Sequence, residues 1–308
     1  MTAIRNVACA WLLLCCAGLA APYKDGFDAY QKGDYGAALK LMTPLAQAGN
    51  ANAQYDVGAM YNNALGVKTD HAQAAKWFAK SAAQGNAYAQ VDLGQLRLTG
   101  RGVPQDYAAA MVLFRQAAAS GNVTAELNIG SLYEHGSGVG QDYKQAARWY
   151  LRAAGHGNAE AQYDLGILYA HGWGMTANMT QAANWYRKAA QQGNDSAQLN
   201  LGALYYAGQG VPRNPAQAIR WMRAAAQQGN GHAQFDLATF YAQGVGTAQN
   251  LPRAVVWYSA AAVLLHGDEA AAASSGAQQA AVAMTAAQRQ EAKQIAQACK
   301  NGNYKGCD

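Results

Sequence analysis

The chain has 308 residues, of which 51% are hydrophobic and only 13% are charged, and its formal net charge is +5. This much apolar material predicts a folded chain with a sizeable core and excludes wholesale disorder. The positive charges are spread along the chain without a basic run, so the composition offers no case for nucleic acid as the main partner.

The start of the chain has the pattern of a secretory signal peptide. Arg5 precedes a short apolar stretch, and Gly18 and Ala20 supply the small residues that a signal peptidase recognises, so cleavage after residue 20 is predicted. The stretch is too short to span a bilayer, and no second run of 18 apolar residues follows. Cys15 and Cys16 leave a lipid-modified N-terminus open, and a buried N-terminal helix is the other alternative. We therefore expect a periplasmic or secreted protein, with lipid anchoring as the less favoured alternative.

Residues 21–50 are predicted to form a helical hairpin that caps the N-terminal end of the fold. Its turn is predicted at Gly33, Asp34 and Tyr35, because glycine and aspartate favour turns.

After this hairpin the dipeptide Gly-Asn recurs at a fixed interval of 36 residues. It ends at Asn50, Asn86, Asn122, Asn158, Asn194 and Asn230. Six repeats therefore run without a gap: 51–86, 87–122, 123–158, 159–194, 195–230 and 231–266.

Each repeat contains two helical patterns joined by a short loop. In the fourth repeat the first pattern places Ala161, Leu165 and Leu168 on one face, and the second is centred on Trp185 and Tyr186. One hairpin of this size cannot bury its apolar faces alone, whereas stacked neighbours can. The sequence therefore predicts an α-solenoid.

Glycines recur at two kinds of position in the repeat. One lies inside the first helix, as Gly166 does, and is kept in five repeats out of six, with Ala238 in the last. Because glycine in a helix costs about 1 kcal/mol relative to alanine, its recurrence predicts a close helix contact that a Cβ would disrupt. The other kind forms a Gly-x-Gly loop, such as Gly172 and Gly174, which suits a left-handed backbone.

The repeat resembles the Sel-one-like repeat family, a tetratricopeptide-like helical repeat. The resemblance is carried by Ala-x-Ala-Gln-Tyr-x-Leu-Gly-x-x-Tyr, then Gly-x-Gly-Val, then Ala-x-x-Trp-Tyr-x-x-Ala-Ala-x-x-Gly-Asn, and it covers residues 51–266. It implies an all-α, right-handed solenoid that serves as an interaction scaffold. Ala64 replaces a loop glycine, Arg97 replaces a tyrosine and Leu113 replaces the tryptophan. The last two fall in the second repeat, which we expect to pack less well.

Residues 267–308 depart from the period and are predicted to form capping helices and a tail. Thr285 and Gln288 have the spacing of a capping box for a final helix that ends near Cys299. Cys299 and Cys307 are the only cysteines after the leader, and such a pair in an exported chain predicts a disulfide. The nine-residue loop it closes is worth about 2.6 kcal/mol on the loop-entropy model. Metal binding by the pair is disfavoured because no histidine lies nearby.

Residues kept in every repeat are predicted to serve packing, whereas exposed residues that vary are free to recognise a partner. The first group includes the recurrent alanine, tryptophan and Gly-Asn positions. It also includes one acidic or amide position, which we interpret as a repeated structural hydrogen bond. That position is occupied by Asp56, Asp92, Asn128, Asp164, Asn200 and Asp236.

The candidate partner-binding residues are variable residues of the first helix, which normally lines the concave surface of such a solenoid. They are Tyr88, Gln95, Leu98, Glu134, His135, His171, Trp173, Tyr206 and Gln243. The same face carries Asn62, Asn63, Ser131, Glu160, Ile167, His232 and Thr239. Mixed polar and aromatic side chains are typical of protein-binding surfaces. The alternative is plain solvated helix surface, and for Trp173 it is packing onto its own repeat.

Motifs for catalysis or cofactor binding are absent. The chain has no Ser-x-x-Lys, His-Glu-x-x-His or Gly-x-Ser-x-Gly, and its Gly-x-Gly loops follow no predicted strand. His135 and His171 are one period apart, roughly 10 Å by helix packing distance, which is too far for one metal ion. A pH-sensitive contact with a partner remains open for them. No cofactor and no metal are expected.

We therefore predict a non-enzymatic scaffold or adaptor that holds a protein partner. Binding to a glycan, such as peptidoglycan or an exported polysaccharide, is the alternative, because tyrosine and tryptophan can stack on sugar rings. Hydrolysis of β-lactams is less favoured, since the chain lacks both Ser-x-x-Lys and regular cysteine pairs within its repeats. The sequence does not predict an oligomeric state.

Overall fold

The computed structural model describes residues 22–302 and 304–307, in which every regular element is an α-helix. The sixteen helices in these ranges are α1 (22–31), α2 (Tyr35–Gln47), α3 (Ala51–Asn62), α4 (His71–Ala83), α5 (Ala87–Thr99), α6 (Tyr107–Ala119), α7 (Val123–His135), α8 (Tyr143–Gly155), α9 (Ala159–His171), α10 (Met179–Gln191), α11 (Asp195–Ala207), α12 (Pro215–Ala226), α13 (Gly231–Gln243), α14 (Leu251–Leu264), α15 (Gly267–Ala283) and α16 (Ala286–Asn301). The predicted class, an all-α fold of helical hairpins, is confirmed. The predicted leader, residues 1–20, lies outside the described residues.

The helices divide into two compact units, one ending at Trp149 and the other beginning at Tyr150. In the first unit, α2, α3, α4, α5 and α6 each pack against the helix that follows, and in the second unit each helix from α9 to α14 does the same. At the C-terminal end α14 contacts both α15 and α16. The core of each unit therefore lies between consecutive helices, as expected of stacked hairpins.

The Gly-Asn dipeptide ends one repeat and caps the first helix of the next. Gly193 has a φ of +93°, in the left-handed region that favours glycine. The side chain of Asn194 then accepts a hydrogen bond from the backbone nitrogen of Ala197 at 2.7 Å, which caps α11. The same cap occurs at the other five asparagines of the series. Such a cap is worth about 1 kcal/mol, so the dipeptide marks each helix start for a physical reason.

The second helix of each repeat begins with a cap of its own, which sequence reasoning missed. Asp70 accepts a hydrogen bond from the nitrogen of Gln73 at 2.9 Å, and its own nitrogen donates to the carbonyl of Tyr61 at 3.0 Å. The equivalent capping residues are Asp34, Asp106, Asp142, Asn178, Asn214 and Asn250. These residues end the loop and set where the second helix starts.

The glycine inside the first helix lies against a large side chain of the second helix, as predicted. A Cβ at Gly94 would be 2.6 Å from the ring of Phe114, and one at Gly202 would be 2.9 Å from Met222. A Cβ at Gly166 would likewise meet the ring of Tyr186. The two helices of a hairpin can approach this closely only because the glycine has no side chain.

The second glycine of the loop contacts the preceding repeat. At Gly66 a Cβ would be 2.8 Å from the carbonyl group of Tyr35, and at Gly246 it would be 2.7 Å from that of Pro215. Gly102, Gly138 and Gly210 have the same relation to His71, Tyr107 and Met179. Each of these five loops therefore rests on the first residue of the second helix one repeat earlier, which sets the spacing between these repeats.

A buried glutamine joins the helices around most repeat boundaries, and the third repeat has Glu126 at this position. Gln198 donates from Nε2 to the carbonyl of Ala190 at 3.1 Å and accepts from Nε2 of Gln228 at 2.8 Å. Gln54 and Gln162 make the same pair of bonds. These bonds satisfy polar groups inside the stack, so the recurrent glutamine is structural.

The second repeat carries an open concavity beside its substituted position, Leu113. An open cavity of about 500 Å³ is bordered by Leu113, together with Leu93 and Gln90 of α5. Leu113 stands where the other repeats have tryptophan, and the smaller side chain leaves this space unfilled.

The C-terminal segment closes the second unit. Thr285 and Gln288 form the predicted capping box, with hydrogen bonds of 3.2 and 2.9 Å. Cys299 and Cys307 form the predicted disulfide. The ring of Tyr304, between them in the chain, stacks at 6.5 Å on that of Trp257. None of the helices in the described ranges has the length and apolar character needed to cross a membrane.

Candidate partner-binding surface

The predicted partner-binding residues lie on the first helices or in the loops that follow them. In each unit, we call the exposed side chains of its first helices, with the loops that follow them, the first-helix face. These helices are α3, α5 and α7 in the first unit and α9, α11 and α13 in the second. Gln95, His135, His171 and Gln243 are exposed on it, whereas Glu134 is partly buried. Leu98 is also partly buried, because it packs against the core cluster of the second and third repeats.

Two exposed tyrosines of this face are held by aromatic neighbours. Tyr88 on α5 is 66% exposed, and its ring lies 6.0 Å from that of Tyr55. Tyr206 on α11 is 39% exposed, and its ring lies 4.9 Å from that of Phe240. Neighbouring rings limit the motion of both tyrosines, which lowers the entropy lost when a partner binds.

Trp173 combines both of its predicted alternatives. Its indole stacks on the imidazole of His171 at 4.6 Å, so the side chain packs on its own repeat, yet it remains 39% exposed. His135 instead turns back along its own helix, with Nδ1 2.9 Å from the carbonyl of Ser131. Among the residues that the structure describes, no three His, Cys, Asp or Glu side chains are grouped to hold a metal ion.

The recurrent acidic position of the first helix forms the predicted structural hydrogen bond at the N-terminal end. The hydroxyl of Tyr23 donates to Asp56 at 2.7 Å, and Tyr55 has the same role toward Asp92. Burial raises the pKa of both carboxyls, and the tyrosine hydrogen bond opposes that rise. In each case a tyrosine on one first helix satisfies a partly buried carboxylate on the next.

Asp236 lacks this tyrosine. The residue one repeat earlier at the donor position is Leu199, which has no hydrogen to donate, and no hydrogen bond reaches the Asp236 carboxylate from the residues that the structure describes. Burial raises its pKa, and His232 partly opposes the rise. Asp236 is therefore a partly buried carboxylate without the partner found in the first two repeats.

This carboxylate lines a pocket of about 390 Å³ between α11, α13 and α15. The pocket is lined by Leu199, Asn200, Ala203, His232, Phe235, Asp236, Leu265, Glu269 and Ala272. Its walls are mostly apolar, and at its rim Nε2 of His232 lies 3.3 Å from a carboxylate oxygen of Glu269. An apolar pocket with a few convergent polar groups is the usual form of a binding site.

Comparison with known proteins agrees with the repeat geometry. The family model of the Sel1 repeat matches residues 13–50, 51–86, 87–122, 123–158, 159–194, 195–230 and 231–262. The chain belongs to the Sel1 repeat family. The model thus matches seven repeats, the first of them in the segment that the sequence analysis assigned to a leader and a capping hairpin.

Solved structures of similar sequence are Sel1 repeat proteins too. A Sel1 repeat protein from Oxalobacter formigenes is 31% identical, with a TM-score of 0.72, over 79% of this chain and 97% of that one. A protective antigen of uropathogenic Escherichia coli with the same fold, c5321, is 29% identical, with a TM-score of 0.54, over 92% of this chain and 69% of that one. A search of curated proteins gives no match.

Sequence reasoning missed the pocket because it treated the whole acidic series of the Sel1 repeats as structural. The signal was present at Leu199, which stands where Tyr55 and Tyr163 stand in their own repeats. Leu127 precedes Asp164 in the same way, so the lost tyrosine alone does not distinguish Asp236. Glu269 could not be found this way, because α15 lies outside the 36-residue period.

A second groove of the Sel1 repeat protein lies elsewhere and has the opposite charge. It has a volume of about 750 Å³, lies between the second helix α14 and the capping helix α16, and carries Arg289, Lys293 and Lys300. Its lining contains no acidic residue. The two concavities would therefore select ligands of different charge.

Replacing the carboxylate of Asp236 is expected to stabilise the protein at neutral pH. Burial raises the pKa of Asp236 in the folded protein above its ordinary value of 3.8. At every pH above 3.8, folding therefore disfavours the ionised carboxylate. The variant Asp236→Asn should gain about 1 kcal/mol at pH 7, at the low end for an unsatisfied buried group. The gain should disappear as the pH falls below the pKa of the aspartate in the unfolded chain. Urea unfolding at pH 7 and at acid pH measures it.

The control is Asp92→Asn. Burial raises the pKa of Asp92 as well, but the hydrogen bond from Tyr55 opposes that rise, so this variant should gain less than Asp236→Asn. The charged groups that face Asp236 are His232 on its own helix and Glu269 on α15, while the residues facing it from α11 do not titrate. A gain that persists unchanged in acid would show that the carboxylate charge is not its cause.

Proposed function

We propose that this Sel1 repeat protein is an exported, non-enzymatic scaffold that binds a protein partner through its first-helix face. The observation that carries the proposal is the exposure of large aromatic side chains at positions that the fold leaves free to vary. Tyr88 has Glu160, Ser196 and His232 as its equivalents in other repeats, so packing does not require an aromatic residue there. Exposed tyrosine and tryptophan are the residues most often found at binding hot spots.

Export is proposed on three grounds. The predicted leader has the composition of a signal peptide. The disulfide between Cys299 and Cys307 is compatible with an oxidising compartment such as the periplasm. The similar protein from uropathogenic Escherichia coli is described as a protective antigen, which fits an exported protein.

The test is co-purification of the mature protein with proteins of its native envelope and medium. Substitution of Tyr88, Trp173 and Tyr206 by alanine is expected to reduce the retained partner at least tenfold, because truncating a hot-spot residue costs about 2 kcal/mol or more. The matched controls are Val112→Ala on α6 and Leu151→Ala on α8, which remove exposed apolar side chains from second helices. Equal loss in both sets, or no loss in either, would contradict the assignment of the first-helix face.

The same variants separate a protein partner from a glycan. Sedimentation with purified peptidoglycan sacculi should leave the wild-type protein in the supernatant. Sedimentation that depends on Tyr88 and Tyr206 would replace the proposed partner by a polysaccharide.

A further inference from the structure

We propose that the pocket between α11, α13 and α15 receives a lysine or arginine side chain of the protein partner. This inference rests on the proposed function, since it assumes that the ligand is a protein. It adds the chemistry of one contact, at a place that none of the predicted partner-binding residues occupies.

The missing donor is the first step of the argument. In the first two repeats a tyrosine hydroxyl satisfies the carboxylate, as Tyr23 does for Asp56 at 2.7 Å. At Asp236 the equivalent residue is Leu199, and the pocket opens beside it. Partial burial disfavours the ionised carboxylate, and a donor arriving from outside would stabilise it. No hydrogen bond from the described residues reaches the Asp236 carboxylate, so the pocket beside it is open to a donor from a ligand.

Charge selects among the possible donors. Asp236 and Glu269 bring two carboxylates to the pocket, and His232 is the only basic residue in its lining. A phenol or hydroxyl from a partner would donate a hydrogen bond but leave the net negative charge uncompensated. An ammonium or guanidinium group does both, and its charge-assisted hydrogen bond to a carboxylate is about twice as strong as a neutral one.

The shape of the pocket fits the rest of such a side chain. Leu199, Phe235 and Leu265 provide apolar walls between the rim and the carboxylate. Lysine and arginine place their methylene stems along apolar surface while the charged group reaches a polar partner. The volume of about 390 Å³ is at the lower end for ligand pockets and suits one long side chain rather than a folded domain.

The experiment uses the mature protein, isotope-labelled for NMR, and four acetylated and amidated pentapeptides. Their central residue is lysine, arginine, norleucine or tyrosine, and the other residues are alanine. The lysine and arginine peptides are expected to shift the amide signals of Phe235, Asp236 and Glu269. Their dissociation constants should be at least tenfold lower than those of the norleucine and tyrosine peptides. The basic groove between α14 and α16 should show no saturable shifts.

Two variants test the pocket itself. Asp236→Asn should weaken the lysine peptide at least tenfold, whereas Asp92→Asn, on a carboxylate with its own tyrosine, should leave it unchanged. Leu199→Tyr restores the donor found in the first two repeats and fills the pocket from within. It should keep the same helical content, remain folded, and lose the peptide.

Each other outcome overturns the proposal. Absence of saturable shifts with the lysine peptide, equal binding of norleucine or tyrosine, or unchanged binding by Asp236→Asn would each do so. The scaffold proposal is judged separately by co-purification with the Tyr88, Trp173 and Tyr206 variants. A partner retained through those residues and indifferent to Asp236→Asn would leave the scaffold standing and remove the lysine or arginine contact.

Discussion

Gly246→Ala is expected to destabilise the second unit by about 2–5 kcal/mol, as the sum of a left-handed backbone cost of about 1–2 kcal/mol and an overpacking cost of about 1–3 kcal/mol. The φ angle of Gly246 is +68°, and a Cβ there would lie 2.7 Å from both atoms of the Pro215 carbonyl. The obstacle is backbone at the first turn of α12, so no side chain can rotate away to relieve it. Urea unfolding followed by far-UV circular dichroism measures the loss.

The matched control is Gly193→Ala, which separates the two costs. Gly193 has a φ of +93°, but a Cβ added there would meet nothing within 4 Å. It should therefore show the backbone cost alone, about 1–2 kcal/mol. Equal losses for the two variants would mean that the contact between Gly246 and the preceding repeat does not set the spacing.

Much of this arrangement is predictable because repetition acts as an internal control. The Gly-Asn spacing locates every first helix, since the asparagine is the N-cap, as Asn194 is for α11. The retained glycine in the first helix, such as Gly166, marks the close contact with the second helix. A residue that recurs against its own helix propensity must be serving a contact that recurs as well.

What repetition does not predict is where the repeats differ in surroundings. Leu199 and Asp236 each look ordinary alone, and the same pairing of leucine and aspartate occurs at Leu127 and Asp164, so the pairing by itself does not mark the pocket. Glu269 enters the pocket from α15, a helix outside the period, whose position depends on how the C-terminal segment packs. Residues at equivalent positions of the repeat can therefore differ in function, because one of them contacts a helix that lies outside the repeats.

The burial of the recurrent tryptophan also depends on which segment follows its repeat. Trp185 and Trp221 are partly exposed, whereas Trp257, at the equivalent position of the sixth repeat, is 0% exposed. The difference arises because the segment after α16 covers Trp257, with Tyr304 stacked on its ring and Cys299 in the same core cluster. The C-terminal segment thus takes the place of a following repeat and hides the apolar end of the stack.

Trp257→Ala is therefore expected to cost about 3–5 kcal/mol, the range for truncating a fully buried aromatic residue. Trp185→Ala, the matched control, should cost clearly less, because solvent already reaches part of that side chain. Trp257→Phe should cost less than Trp257→Ala. The indole nitrogen of Trp257 is buried without a hydrogen-bond partner among the described residues, and phenylalanine keeps a ring while removing that unmet donor.

Hydrogen exchange should show which helices Trp257→Ala destabilises. Because stacked repeats contact mainly their neighbours, protection should fall in α14, α15 and α16 and persist in the helices of the first unit. Equal destabilisation by Trp257→Ala and Trp185→Ala would mean that Tyr304 and the disulfide segment do not shield the end of the stack. The sixth repeat would then need some other cover for its apolar face, because an uncovered terminal repeat exposes the surface that its neighbours bury.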